Sequence, residues 1–107
     1  MKALLTIIAL FASTVCFSQI TAIHFNADWN ETNGVEWFNK LSDVDREYLD
    51  ISANNNQTKY SIAIVPTIVI FDDGEEVKRF QADLSFKMVA TKKEVQEYID
   101  ELIISKF

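Results

Sequence analysis

The apolar pattern of the chain centres on residues 64–71, a stretch that contains the only proline, Pro66. Residues 68–71 are all β-branched or aromatic, which predicts a strand, and their unbroken apolar character predicts that both of its faces are covered. An Asp-Asp-Gly turn at 72–74 follows, and apolar and polar residues then alternate over 76–81. Because such a turn between two strand patterns is a hairpin signal, the sequence predicts an antiparallel pair here.

Two strands and a helix are predicted ahead of this centre. The first strand covers residues 20–26 and the second covers 47–52. Between them, Asn33 followed by Glu36 resembles a capping box that would start a helix. The apolar stripe of that helix would consist of Val35, Phe38 and Leu41. Since a right-handed β-helix-β unit makes its two strands parallel neighbours, we expect the two strands to pair side by side.

Two further helices complete the predicted order. A short helix would begin with Asn54 or Asn55 as its cap and end at Tyr60. Near the end of the chain, Thr91 and Glu94 form a second capping box. The apolar positions after it recur at helical spacing: Val95, Tyr98, Ile99, Leu102 and Ile103. The chain therefore predicts an α/β domain in the order βαβ, short helix, ββα.

Composition and charge narrow the functional classes. A chain of 107 residues with 49% hydrophobic residues fits one globular domain. A net charge of −6 argues against nucleic acid or an anionic membrane as a partner. Asp72, Asp73, Glu75 and Glu76 are close together but lack the spacing of a calcium loop. We therefore expect no metal and no cofactor.

Residues 1–18 have the parts of a secretory signal peptide. Lys2 provides the basic start and residues 3–12 the apolar run. Cys16 and Ser18 are the small residues at positions −3 and −1 of a cut before Gln19. We therefore expect an exported protein, periplasmic or secreted and of bacterial type, with no membrane attachment after cleavage. Cleavage would remove the only cysteine, so packing alone would hold the remaining domain, residues 19–107.

Two stretches of this pattern resemble the thioredoxin family. They are Phe-Asn-Ala-Asp-Trp at 25–29 and Val-Pro-Thr-Ile-Val-Ile-Phe-Asp-Asp-Gly-Glu at 65–75. Lys-Tyr-Ser-Ile at 59–62 adds to the resemblance, which extends over roughly residues 23–103. It implies a minimal thioredoxin-like fold, in which a four-stranded mixed sheet is flanked by helices. It also implies that Pro66 follows a cis peptide bond and faces residues 29–33 across a groove.

The sequence departs from this family where the family carries its chemistry. The family's Trp-Cys-Gly-Pro-Cys motif reads Trp-Asn-Glu-Thr-Asn here, so Asn30 and Asn33 occupy both cysteine positions. The family's buried carboxylate falls at His24, which we interpret as a core histidine. Thiol–disulfide exchange needs a thiolate, which asparagine cannot supply, so no catalytic residue is assigned. Asparagine does suit a helix start, and we interpret both asparagines as capping residues.

The resemblance leaves a peptide groove formed by Trp29, Val65, Pro66 and Thr67. In this interpretation the Val65 N–H and C=O are free beside an exposed Trp29 and pair with an extended peptide. We therefore expect a protein- or peptide-binding, chaperone-like module that is a monomer and redox-inactive.

Two alternatives stay open. The strand 47–52 would become a sheet edge, which a structural partner could extend. The protein could also serve thiol–disulfide homeostasis without thiols of its own.

Trp37 is expected in core packing. Phe86 and Met88, in a connection longer than the family's usual one, form either a second apolar patch or part of the core.

Overall fold

A computed structural model describes residues 19–107, so the predicted signal peptide lies outside the described residues. The strands are β1 (Ile20–Asn26), β2 (Asp45–Asp50), β3 (Thr67–Asp72) and β4 (Glu75–Gln81). They form one sheet in the order β2-β1-β3-β4. β1 is parallel to β2 and antiparallel to β3, and β3 is antiparallel to β4. The predicted mixed sheet and its strand pairing are confirmed.

The centre of the sheet is buried on both faces, as the apolar run predicted. Ile68, Val69 and Ile70 in β3 have no exposed surface. Their side chains alternate between two clusters, one containing Phe38 and the other Phe25. Because β3 is flanked by β1 and β4, its backbone hydrogen bonds are satisfied within the sheet. The sheet is therefore a rigid base for the loops at its ends.

The predicted helix at 33–41 is wrong in kind. Two 3₁₀-helices occur instead, Asp28–Asn33 and Glu36–Lys40, with Gly34 and Val35 between them. The apolar residues recur at a spacing of three: Val35, Phe38 and Leu41, all buried. That spacing matches the three residues per turn of a 3₁₀-helix better than the 3.6 of an α-helix. No side chain caps either helix.

Two other predicted boundaries shift. β2 ends at Asp50 because the Asp50 carboxylate accepts hydrogen bonds from the Ser52 N–H at 2.8 Å and hydroxyl at 2.7 Å, which turns the chain. The short helix α1 covers only Asn56–Lys59. Asn55 precedes it with φ 58° and provides no side-chain cap. The predicted asparagine cap is therefore wrong, and the Asn56 side chain binds the Asp50 carbonyl instead.

The last helix, α2 (Lys92–Ile104), has the predicted start. Thr91 and Glu94 form the capping box, and Val95 and Ile99 are fully buried. They belong to the same cluster as Phe38, so α2 and the second 3₁₀-helix cover one face of the sheet together. In the part of the chain that the structure describes, no helix has the length and apolar character needed to cross a membrane.

Candidate functional site

The candidate site lies where β1 ends and the first 3₁₀-helix begins. The Ala27 carbonyl accepts the Asn30 N–H at 2.9 Å, which starts the helical turn. Asn30 departs from helical geometry, with φ −115° and ψ 18°, so the segment bends there. The bend leaves Trp29 exposed and places Asn30 inside the protein.

Asn30 is the centre of the hydrogen bonding at this site. Its Nδ2 lies 3.1 Å from Asn26 Oδ1, 3.3 Å from the Phe86 carbonyl oxygen and 3.4 Å from the Val65 carbonyl oxygen. Its Oδ1 accepts from Asn33 Nδ2 at 2.9 Å. One buried amide thus joins three chain segments. The expectation that Asn30 and Asn33 cap a helix is wrong, because their side chains bind each other and tertiary partners.

The proline segment, residues 65–67, lies next to the Asn30 amide. The Val65–Pro66 peptide bond is cis, and Val65, Pro66 and Thr67 are all buried. The Val65 carbonyl faces Asn30, so it is not free as the sequence suggested. The Pro66 carbonyl accepts the Ala82 N–H at 3.0 Å. Of the four residues expected to line the groove, only Trp29 offers exposed side-chain surface.

Trp29 and Phe86 form an aromatic patch on the surface. Their rings meet edge to face, with centroids 5.1 Å apart and an interplanar angle of 88°. Trp29 is 66% exposed and Phe86 is 39% exposed. Phe86 therefore belongs to an apolar surface patch, whereas Met88 and Trp37 pack against the core. Edge-to-face contact suits the positive edge of one ring and the negative face of the other.

A short hairpin holds Phe86 in place. An isolated bridge between its end residues closes the segment 82–88. The Asp83 carboxylate accepts from the Ser85 hydroxyl at 2.6 Å and from the Ser85 N–H at 2.8 Å, and the Asp83 N–H donates to the Lys87 carbonyl at 2.9 Å. Hydrogen bonds, led by that of the Ser85 hydroxyl, hold the pKa of Asp83 below its usual value. This hairpin was not predicted from the sequence, although Asp-x-Ser at 83–85 is a turn signal.

His24 is a satisfied core residue, as its place on β1 suggested. Its Nε2 accepts the Val35 N–H at 3.1 Å, and its ring packs against those of Phe38 and Tyr48 at centroid distances of 5.3 and 5.2 Å, in a three-ring cluster. Burial lowers the pKa of His24, so the ring is neutral at pH 7 and carries its proton on Nδ1. It makes no contact with Asn30 that would support proton transfer there.

An acidic cleft lies on the other side of the first 3₁₀-helix. It has a volume of about 530 Å³, and its lining includes Asp28, Glu31, Tyr48 and Asp50. The nearby negative charge of Asp50 raises the pKa of Asp28 above its usual value. Among residues 19–107, no three His, Cys, Asp or Glu side chains are arranged to hold a metal ion.

Comparison with family models and with curated proteins finds no match for this sequence. Solved structures do match. A mutant thioredoxin of Halobacterium salinarum NRC-1 aligns at 22% identity with a TM-score of 0.61, over 78% of this chain and 74% of its own. Fasciola hepatica thioredoxin aligns at 23% identity with a TM-score of 0.55, over 78% and 80%. Schistosoma mansoni thioredoxin aligns at 22% identity with a TM-score of 0.60, over 78% and 76%.

The chain forms a thioredoxin-like domain. At these identities the likeness establishes the fold, and the site must be argued from its own residues. In this thioredoxin-like domain, the described residues contain no cysteine, and Asn30 and Asn33 are hydrogen-bonded to each other.

Proposed function

We propose that this thioredoxin-like domain is a redox-inactive binding module in which the exposed ring of Trp29, within the aromatic patch, anchors a protein or peptide. The observation that carries the proposal is the 66% exposure of Trp29 next to a second aromatic ring. A large aromatic side chain left on the surface beside another is costly in water and is typical of residues that anchor partners.

The chemistry of Asn30 supports the redox-inactive part of the proposal. Disulfide exchange requires a thiolate that attacks sulfur, and the Asn30 amide has no ionisable proton for this purpose. The amide is also fully engaged, since its nitrogen faces three acceptors and its oxygen accepts from Asn33. The site is therefore suited to holding backbone segments in place and not to a reaction.

The proposed partner is bound outside the cell, following the expectation that residues 1–18 direct export. The patch is small, and binding involves no covalent step, so the affinity should be on the order of micromolar or weaker. Such an affinity fits transient contact with segments of other proteins, as a chaperone-like module would make.

Selection from a random peptide library displayed on phage tests this proposal. Trp29→Ala should lower the binding affinity of the selected peptides by about ten-fold or more, because an aromatic anchor commonly contributes at least about 1.4 kcal/mol to the free energy of binding. Phe107→Ala is the matched control, since it removes a fully exposed ring elsewhere. If a folded Trp29→Ala variant binds the same peptides as tightly as the wild type, the proposal is wrong.

A second candidate function rests on the position of β2. This strand lies at the edge of the sheet, and four of its residues are exposed: Asp45, Arg46, Glu47 and Tyr48. An edge strand can pair with another chain, although charged side chains oppose this. We expect the charged side chains of β2 to prevent such pairing, so the protein should be a monomer at micromolar concentration. A dimer in sedimentation experiments that Leu49→Pro dissociates would favour the structural function instead.

A further inference from the structure

We propose that residues 83–87 of the hairpin are a tethered occupant of the binding site, and that partners compete with Phe86 for the ring of Trp29 by presenting an aromatic residue. This inference rests on the proposed function, because it names the chemistry of the segment that the aromatic patch binds. The hairpin shows what kind of residue this surface binds, because its own Phe86 already contacts Trp29.

Phe86 makes two different contacts with the site from one residue. Its ring meets Trp29 at 5.1 Å, and its own carbonyl oxygen lies 3.3 Å from Asn30 Nδ2. Any peptide can repeat this pair of contacts with the ring and the carbonyl of one aromatic residue. The site therefore recognises an aromatic side chain together with the backbone carbonyl of the same residue.

The hairpin is anchored at its ends, because the Ala82 N–H donates to the Pro66 carbonyl and Met88 packs against the core, but the residues between these ends are attached weakly. Within the described chain, the hydrogen bonds of residues 83–87 are internal to the hairpin, except for the bond from Asn30 to the Phe86 carbonyl. Leu84 at its tip is 92% exposed. Because residues 83–87 keep their own bonds, they can move away from Trp29 together while Ala82 and Met88 stay in place, and the move breaks the ring and carbonyl contacts of Phe86.

The backbone of Phe86 also favours exchange. Its φ is 65°, in the left-handed region that residues other than glycine, asparagine and aspartate seldom adopt. A bulky residue held there indicates that its surroundings fix it, and such positions occur often at ligand-binding segments. A partner residue could make the same two contacts from a relaxed, extended backbone.

The test is a titration of the exported chain with two capped tetrapeptides, Ser-Phe-Lys-Ala and Ser-Ala-Lys-Ala. The indole N–H signal of Trp29 in a ¹⁵N NMR spectrum reports binding, and its loss in Trp29→Ala assigns it. Phe86→Gly removes the internal ring and suits a positive φ. Leu84→Ala is the matched control, since it truncates an exposed side chain of the same hairpin.

We expect Phe86→Gly to bind Ser-Phe-Lys-Ala at least ten-fold more tightly than wild type, and Leu84→Ala to match wild type. The peptide without phenylalanine should not bind. If Phe86→Gly fails to fold, Phe86→Asn replaces it, because asparagine also tolerates positive φ. Equal or weaker binding by a folded Phe86 variant would overturn the inference, while peptide binding that depends on Trp29 would leave the proposed function standing.

Discussion

The buried amide of Asn30 should be a main source of stability at the site, and Asn30→Ala tests this. The side chain is 3% exposed and connects the end of β1, the segment before β3 and the 82–88 hairpin. Alanine removes the donors and the acceptor at once and offers nothing to replace them. The variant therefore measures what the domain gains from asparagine at this position.

The size of the effect follows from what each partner can do afterwards. Asn26 and Asn33 are partly exposed, so water can satisfy them, and each lost bond costs about 1 kcal/mol. Val65 is 2% exposed, so its carbonyl would lose a partner that water cannot easily replace. We expect a total loss of about 2–3 kcal/mol in the free energy of unfolding. For a domain of this size, that corresponds to a decrease in Tm of about 10–20 °C.

Urea unfolding followed by far-UV circular dichroism measures the loss. Asn33→Ala is the control, because it removes one partly exposed bond and should cost no more than about 1 kcal/mol. The slope of the unfolding curve should be unchanged, since the native fold persists. If Asn30→Ala costs less than about 0.5 kcal/mol, or no more than Asn33→Ala, the interpretation of Asn30 as the centre of the site is refuted.

Two further predictions concern chemistry and pH. The wild-type protein should not reduce insulin disulfides in a turbidity assay, and turnover by the wild type would contradict this. The double variant Asn30→Cys with Asn33→Cys should show activity in the same assay. That activity should be weak, because His24 stands where the family has its carboxylate. Burial lowers the pKa of His24 below 6.5, so the unfolded state binds more protons below that pH. The free energy of unfolding should be constant above about pH 7 and decrease as the pH falls through about 6.5, and His24→Gln should flatten the profile between about pH 7.5 and 5.5. An equal slope in the variant would assign the effect to other groups.

The sequence predicted the sheet because each strand carries a local signal. The β-branched run before Phe71, the Asp-Asp-Gly turn and the capping box at Thr91 are all formed by residues close together in the chain. The helix at 33–41 was predicted wrongly because three apolar residues spaced by three fit both a 3₁₀-helix and an α-helix. An α-helix would also carry apolar residues at a spacing of four, and their absence could have indicated the tighter 3₁₀-helix.

The site itself depends on contacts that no local pattern contains. Asn30 meets Val65 and Phe86, which are 35 and 56 residues further along the chain. From sequence, an asparagine at a helix start is most simply a cap, and only the tertiary fold shows that its amide is directed inward. Phe86 was likewise ambiguous, because its exposure is set by the turn that Asp83 stabilises.

The central claim is that partners bind at the aromatic patch. A ¹⁵N–¹H NMR titration with the phage-selected peptide tests it most directly, because it reports every backbone amide and the indole groups at once. We predict that the largest shifts fall on Trp29, the Asn30 side chain and Phe86, while β2 is unaffected. Shifts concentrated on β2, with the Trp29 indole signal unchanged, would contradict the account and support binding at the sheet edge.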